Sequence, residues 1–416
     1  MATQRLQQVS AHLAPSLVSP SKIGVKSPED VVVVSALRTP ITRARKGGLK
    51  DTFPEEMLSA VFKAIIEKTK INPALVNDIA VGNVLPAGGG ATAARMAALH
   101  AGFPDTTALN TVNRQCSSGL QACVQIATAI QSGLIEIGIG AGVESMTLNY
   151  GAGAMGSTSE KVSSECEAAA DCLLPMGITS ENVAKEFKIT RQKQDAFAAS
   201  SHQKAVAAQK AGLFDAEIVP IKVTVTDKEG NEKEVIVTRD DGVRDGVTAE
   251  SLAKLKPAFD DDGFTTAGNA SQVSDGAAAV LLMKRKTAEK LGLPVVGKYI
   301  TSAVAGVPPH IMGIGPAYAV PIAAERAGIK ISDIDIVELN EAFASQAVYS
   351  AEKLQIPLEK INPKGGAIAF GHPLGCTGAR QVATLLPELK RQGKKIGCTT
   401  MCIGTGMGMA AIWESE

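Results

Sequence analysis

Aromatic residues are scarce in this 416-residue chain, at 4% with a single tryptophan. An interior built on large rings is excluded, and the 40 glycines point to closely approaching backbones instead. Net charge is lacking too, since Lys+Arg and Asp+Glu each number 42. That balance excludes a basic surface of the kind nucleic acid or an anionic membrane selects. No apolar run reads as a membrane span: the uncharged stretch from Gln115 to Ile135 is broken by glutamines and serines, as in a buried amphipathic helix. The seven cysteines, at 116, 123, 166, 172, 376, 398 and 402, are odd in number, widely spread and without a Cys-x2-Cys pair. A disulfide scaffold and zinc knuckles are both excluded, and the chain reads as reduced and intracellular. There is no Walker loop and no strand leading into a G-x-G-x-x-G helix start.

What is present is an alternation of strands and helices. Four valines in "EDVVVVSALRTPI" predict a buried strand, followed by a helix over Glu55–Thr69, a strand at "VNDIAVGNVL" and a helix over Thr92–Ala101. After "NRQCSSG", the spacing of Leu120, Val124, Ala127 and Ile130 predicts a helix that places Cys116 at its start. A glycine-ended strand, "LIEIGIGAGVESM", completes the pattern. The expectation is an α/β architecture with a parallel sheet. Five segments follow from composition: a leader (1–28), a first half (29–148), a polar insertion (149–259), the completion of the first half (260–289) and a second half (290–416). Within the insertion, "VTVTDKEGNEKEVIVT" predicts an exposed hairpin.

The two halves echo each other. "VNDIAVGNVL" returns as "ISDIDIVELN", setting Asp78 against Asp335 and Asn83 against Asn340, 257 positions apart. "QCSSGLQA" returns as "GCTGARQVA", setting Cys116 against Cys376, 260 apart, and "IGIGAGVESM" returns as "MCIGTGMGMA". Three echoes in one order imply a duplicated α/β unit whose equivalent loops converge on a shared cleft.

Four stretches carry chemistry. An unpaired thiol is by default a small buried hydrophobe, but a helix start offers Cys116 N–H groups that stabilise a thiolate or an acyl oxyanion. His372, held between Gly371 and Pro373, is a base candidate, although a lone loop histidine is also commonly incidental. Cys402 precedes the glycine-rich turn "CIGTGMG", where N–H groups can face a ligand or merely turn the chain. Asn340 and Glu341 in "ELNEAFA" could enter a site or cap the next helix.

Together, "NRQCSSGLQA", "NEAFA", "GGAIAFGHPLGCTGARQVATLL" and "CIGTGMG", with "MGITSENVA" and "AGNASQVSDGAAAV", resemble the thiolase family from about Val31 to Trp413. The resemblance implies a five-layer αβαβα sandwich of two duplicated halves, a loop domain over the site, and a homodimer. It implies thiolytic cleavage of a 3-ketoacyl-CoA by CoA, with CoA as a substrate and neither metal nor organic cofactor. Cys116 would accept the acyl group, His372 would activate it, and Cys402 would move a proton at the substrate's α-carbon. Asn340, through a water shared with His372, would form one oxyanion hole, and the N–H groups of Cys116 and Gly404 the other. Met176, Ser271 and Phe343 would line the pantetheine channel. Against the family pattern, Thr405 stands where a glycine is common, Phe370 where a smaller residue is, and His310 where an acid often is. Phe370 is expected to narrow the surroundings of His372.

The leader contains no acidic residue. Its "RLQQVSAHL" resembles a type 2 peroxisomal targeting signal, with Arg5, Leu6, His12 and Leu13 as the residues an import receptor would read. A mitochondrial presequence and a frayed tail are the alternatives. For the chemistry, the alternatives are an acetoacetyl-CoA (biosynthetic-type) thiolase, a decarboxylating condensing enzyme, which would lack Cys402, and an inactive CoA-binding protein.

Overall fold

The computed structural model describes residues 22–151, 156–227 and 229–416; Arg5, Leu6, His12 and Leu13 of the leader lie outside them. The first half opens with β1 (Val31–Arg38), β2 (Thr42–Arg43) and α1 (Pro54–Thr69). Next come β3 (Asp78–Gly82), α2 (Ala91–Ala101), β4 (Ala108–Val112), α3 (Ser118–Gln131) and β5 (Ile137–Ser145). The insertion holds α4 (Met176–Glu186), α5 (Arg191–Lys210) and the antiparallel hairpin of β6 (Ile221–Thr226) and β7 (Glu232–Val237), before β8 (Ser274–Lys284) returns to the first half. The second half runs β9 (Gly297–Gly306), α6 (Gly315–Ala327), β10 (Ile336–Leu339), α7 (Ala344–Leu354), α8 (Leu374–Arg391), β11 (Ile396–Ile403) and β12 (Met407–Ser415).

The sheets are mixed rather than parallel. In the first half the order is β4-β3-β5-β8-β1, with β3 parallel to β4 and β5 but β8 antiparallel to β5 and β1. The second half repeats this as β10-β11-β12-β9, and Ile361 bridges Val337 where β4 stands in the first half. In the second half a three-residue turn, 404–406, joins β11 to antiparallel β12. In the first half the corresponding connection is opened to carry residues 146–273. A turn as short as 404–406 can join only antiparallel neighbours, and β5 and β8 keep the same antiparallel course across the insertion. The sheets meet where Val32 and Val33 pair with Lys298 and Gly297.

Three apolar clusters make five layers. Alternate residues of a strand face opposite ways, so Val32 and Val34 join Met57, Phe62, Ile65 and Ala97 of α1 and α2. Val31 and Val33 face inward, with Leu120 and Ile130 of α3, Val382 and Leu386 of α8, and Met401 and Trp413 of the second sheet. The far face of that sheet packs Ile300, Val337 and Ile412 on Val320, Ala323 and Ala347 of α6 and α7. Continuous apolar strands are what a sheet covered on both faces requires.

The packing also corrects the register of the first two echoes by one position each. Asn77 accepts from the N–H groups of Glu136 and Ile137 as Asp335, 258 positions later, accepts from those of Lys395 and Ile396. In the middle layer, a Cβ on Gly119 would lie 2.9 Å from Ala379 N, and one on Gly378 would lie 2.1 Å from Leu120 N. These mirrored contacts pair positions 259 apart, which sets Cys116 against Gly375 rather than Cys376.

Buried charge ties the insertion to both halves. Arg38, fully buried, donates to Asp240 at 2.7 and 2.9 Å and to Glu217 at 2.7 Å; Glu217 also accepts from Lys364 at 2.6 Å and Thr384 at 2.9 Å. Removing one partner of such a network strands the others without solvent, a strongly destabilising change. Phe370 belongs here: its ring meets Phe214 at 5.9 Å, Arg380 at 5.1 Å and Arg38 at 6.0 Å. Its bulk packs within this network.

Candidate active site

Cys116 lies two residues before α3, after Gln115 at φ +46. Burial pushes its thiol up, and the N–H groups of Gly404 and of Cys116 itself pull it partly back. The net direction is upward, so the helix start does not by itself yield a thiolate, and a base is required. Cys402, at the end of β11, is fully buried; burial and then the charge of Cys116 push its thiol well up. The two sulfurs therefore share one site, with the Gly404 N–H aimed into it. A Cβ on Gly404 would touch Met176 Sδ at 3.5 Å and Gln115 Cγ at 3.9 Å, with nothing nearer. Glycine here leaves room in front of Cys116. Cys402 packs with Met312, Ala342 and Phe343, with Met176 and Ala270 against them.

His372 is held from both sides. Gly371 adopts φ +113, and a Cβ there would lie 2.0 Å from Ser274 Oγ, so only glycine fits. Thr377, in the first turn of α8, donates its hydroxyl hydrogen to Pro373 O at 3.1 Å. It can then only accept from His372 Nδ1, 2.6 Å away, which places the ring hydrogen on Nδ1 and leaves Nε2 bare. Asn340 Nδ2 donates to Nε2 at 3.2 Å, and Asn340 Oδ1, although buried, has no hydrogen-bond partner. Burial, with a smaller contribution from the Arg380 charge, pushes the imidazole down to about 3. It is neutral and able to accept a proton.

Backbone bonds join the two groups of residues. Ser271 N donates to Ala342 O at 3.0 Å, and His372 N donates to Gln272 O at 3.1 Å, so the strand-like 270–272 segment runs between the Phe343 loop and the His372 loop. Ala270 also bridges Phe343. Glu341 stands apart: its carboxylate accepts from Ser201 and Asn362 side chains and from Ile368 N, pinning α5 to the second half. Neither it nor Asn340 caps α7, whose N-cap is Phe343. His310 pairs with Asp171 at 3.3 Å.

Similarity to known proteins follows the same boundaries. Residues 31–286 match the thiolase N-terminal domain and residues 293–415 the thiolase C-terminal domain.

The chain belongs to the thiolase family.

It is 58% identical to rat "3-ketoacyl-CoA thiolase B, peroxisomal" over 420 residues, covering 99% of each. It is similar to a solved structure of the dimeric peroxisomal thiolase of Saccharomyces cerevisiae, with TM-score 0.88, 50% identity, and 96% and 100% of the two chains covered. A second structure of the peroxisomal 3-ketoacyl-CoA thiolase from that yeast, matched at TM-score 0.77 and 45% identity over 95% and 100%, is titled as five-layered and built from two core domains of identical topology. The five layers and duplicated halves found here agree with it.

Among the described residues no group of three or more His, Cys, Asp or Glu could hold a metal ion, and no helix is long and apolar enough to cross a membrane. Sequence reading missed Thr377 and Glu144. Thr377 had a local signal, a hydroxyl one helical turn past Pro373 in "GHPLGCTG"; Glu144 had none.

Proposed function

We propose that the chain cleaves 3-ketoacyl-CoA with CoA, giving acetyl-CoA and an acyl-CoA two carbons shorter. The observation that carries this reading is the Cys116 thiol on the N–H of Gly404 with Cys402 beside it, together with a neutral His372 whose Nε2 carries no hydrogen and accepts from Asn340 Nδ2 until it takes a proton. His372 Nε2 takes the Cys116 proton, and the sulfur attacks the C3 ketone. The resulting oxyanion is held by the N–H groups of Cys116 and Gly404. Collapse breaks the C2–C3 bond, leaving an acyl thioester on Cys116 and an acetyl-CoA enolate that takes a proton at carbon from Cys402. The enolate oxygen faces Asn340 and His372, where the unpartnered Asn340 Oδ1 supports a water in the hole. CoA thiol then gives its proton to Cys402, attacks the thioester, and releases Cys116, which takes its proton back from His372. Two thiols serve because one must be nucleophile and leaving group while the other only moves a proton.

CoA enters as substrate, and the small apolar wall of Met176 and Phe343, with Ser271 beside it, forms the pantetheine channel. The similarity to 3-ketoacyl-CoA thiolases favours 3-ketoacyl substrates over acetoacetyl-CoA alone. Residues 1–28 form a leader read by a peroxisomal import receptor through Arg5, Leu6, His12 and Leu13, placing the enzyme in the peroxisome. The division at 29–148, 149–259, 260–289 and 290–416 is retained, with the insertion as the loop domain. A homodimer forms through the half-exposed edge strand β4, flanked by exposed Met96 and Leu99 of α2.

The test is purified chain with CoA and 3-ketoacyl-CoA esters from four to sixteen carbons. Cleavage across the longer esters is expected. No cleavage at any length would overturn the reading, and activity confined to four carbons would replace it with the acetoacetyl type.

A further inference from the structure

Where the two halves meet, one carboxylate serves three backbone donors. Glu144, near the end of β5, is 1% exposed. Its Oε2 accepts from Val84 N at 3.1 Å and from Gly375 N at 3.0 Å, and its Oε1 accepts from Leu85 N at 3.2 Å. Val84 and Leu85 leave β3 in the first half; Gly375 lies in the first turn of α8, three residues beyond His372. The contact is close throughout. A Cβ on Gly375 would lie 2.6 Å from Asn83 Cα and from Val143 O, and Cβ atoms on Gly142 and Gly119 would lie 2.1 and 2.6 Å from Gly375 O. The start of the His372 helix is thus laid on the first half with Glu144 as its side-chain latch, at the N-terminal end of the helix where a negative charge is favoured.

The same carboxylate bears on the nucleophile. Its charge raises the Cys116 thiol. The groups facing the pair are Asp275 on β8, Cys376 on α8 and Cys402 on β11, with Arg380 of α8 bearing on Cys376 and His372. Burial, against three N–H donors and with Asp275 adding to it, pushes Glu144 itself up to about 7.

We propose that Glu144 is a positioning residue for the proton transfer between Cys116 and His372: it fixes the start of α8 against the first half, and its charge adds to burial in keeping Cys116 a thiol until His372 Nε2 takes the proton. This rests on Cys116 being the acyl acceptor. A thiol held protonated at rest gives, once deprotonated beside the substrate, a more basic and more reactive sulfur than one ionised in advance.

The test is iodoacetamide alkylation of full-length protein from pH 5 to 10, read at the Cys116 peptide by mass spectrometry, for wild type, Glu144→Gln and Glu144→Asp. Removing the charge in Glu144→Gln is expected to lower the alkylation midpoint by about one pH unit and kcat by roughly tenfold or more, with KM little changed. Glu144→Asp keeps the charge but shortens the reach; its midpoint stays near wild type while kcat falls. A folded Glu144→Gln with the wild-type midpoint would overturn the proposal, including where its Tm falls, since a purely structural latch lowers Tm without moving the thiol. Should Glu144→Gln not fold, the wild-type curve decides: a curve broader than one proton, with an inflection near 7, supports coupling, and a single-proton curve overturns it. Failure of the underlying reading is separate, because Cys116→Ala would then still cleave substrate.

Discussion

His372 Nδ1 lies 2.6 Å from Thr377 Oγ1, and the Thr377 hydroxyl hydrogen is already committed to Pro373 O. That pair of bonds sets which imidazole nitrogen carries the hydrogen, and so makes Nε2 the base. Thr377→Val keeps the shape and removes both bonds. We expect kcat to fall by about 10²-fold with KM little changed, and Tm to drop by an amount consistent with about 1–3 kcal/mol for the buried groups left unpaired. Steady-state kinetics beside a thermal melt check both; an unaltered kcat would remove the orienting role.

Protonation of His372 opposes the fold. Its folded value is about 3, against an ordinary value of 6.5, so below 6.5 the unfolded chain binds more protons and stability falls as pH drops. Glu144 has the opposite sign: raised to about 7 from 4.5, it costs stability as pH rises through that window. The comparison of wild type with His372→Asn isolates the first effect. The loss of Tm between pH 7.5 and pH 5 should be smaller in the variant; an equal or larger loss contradicts a buried neutral imidazole.

The two thiols should separate by half-reaction. Cys402→Ala is expected to keep acyl exchange between an acyl-CoA and Cys116, while cleavage of 3-ketoacyl-CoA falls by about 10²–10⁴-fold. Exchange of radiolabelled acyl groups measured beside cleavage tests this. Equal loss of both would mean that solvent cannot take the CoA proton in place of Cys402.

Gly404 is buried, yet a side chain there would meet its neighbours only at ordinary contact distance. A Cβ there meets Met176 Sδ at an ordinary 3.5 Å, so Gly404→Ala should fold with a Tm close to wild type. The added methyl stands beside Met176 and Gln115, next to the N–H that Cys116 meets, and kcat/KM should fall at least about tenfold. A large loss of Tm would mean that the glycine is required for packing.

The neighbouring Thr405 sits at φ +69, a region that costs a side-chain-bearing residue roughly 1–2 kcal/mol. Glycine relieves that and gives back roughly 0.4–1 kcal/mol through the unfolded chain. Thr405→Gly should therefore be neutral or stabilising by up to about 1 kcal/mol in denaturant unfolding; clear destabilisation would show that the turn needs the threonine hydroxyl, which donates to Gly404 O.

Much of this was legible in the residues. The valine run of β1, the helix periodicity behind Cys116 and the "KEGN" hairpin are local patterns, and local patterns survive folding. The duplication was legible as well, but two echoes aligned best one position away from the structural register and the third five positions away. Composition favoured Cys116 opposite Cys376, whereas the close packing at Gly119 and Gly378 fixes the pairing. The antiparallel course of β8 was hidden by the insertion that separates it from β5. Glu144 and the Arg38–Glu217–Asp240–Lys364 network could not be read in advance, because their partners lie more than a hundred positions away in several cases and no spacing rule links them. The four motifs supplied the candidate active-site residues; tertiary geometry supplied what orients them.

The central claim is that the acyl group passes through Cys116. The most direct measurement is to mix the protein with 3-ketooctanoyl-CoA in the absence of CoA, quench with acid, digest and map the modified peptide. The account predicts one equivalent of released acetyl-CoA and a hexanoyl thioester on Cys116, absent in Cys116→Ala. A hexanoyl group on any other residue, or cleavage by Cys116→Ala at the wild-type rate, would contradict it.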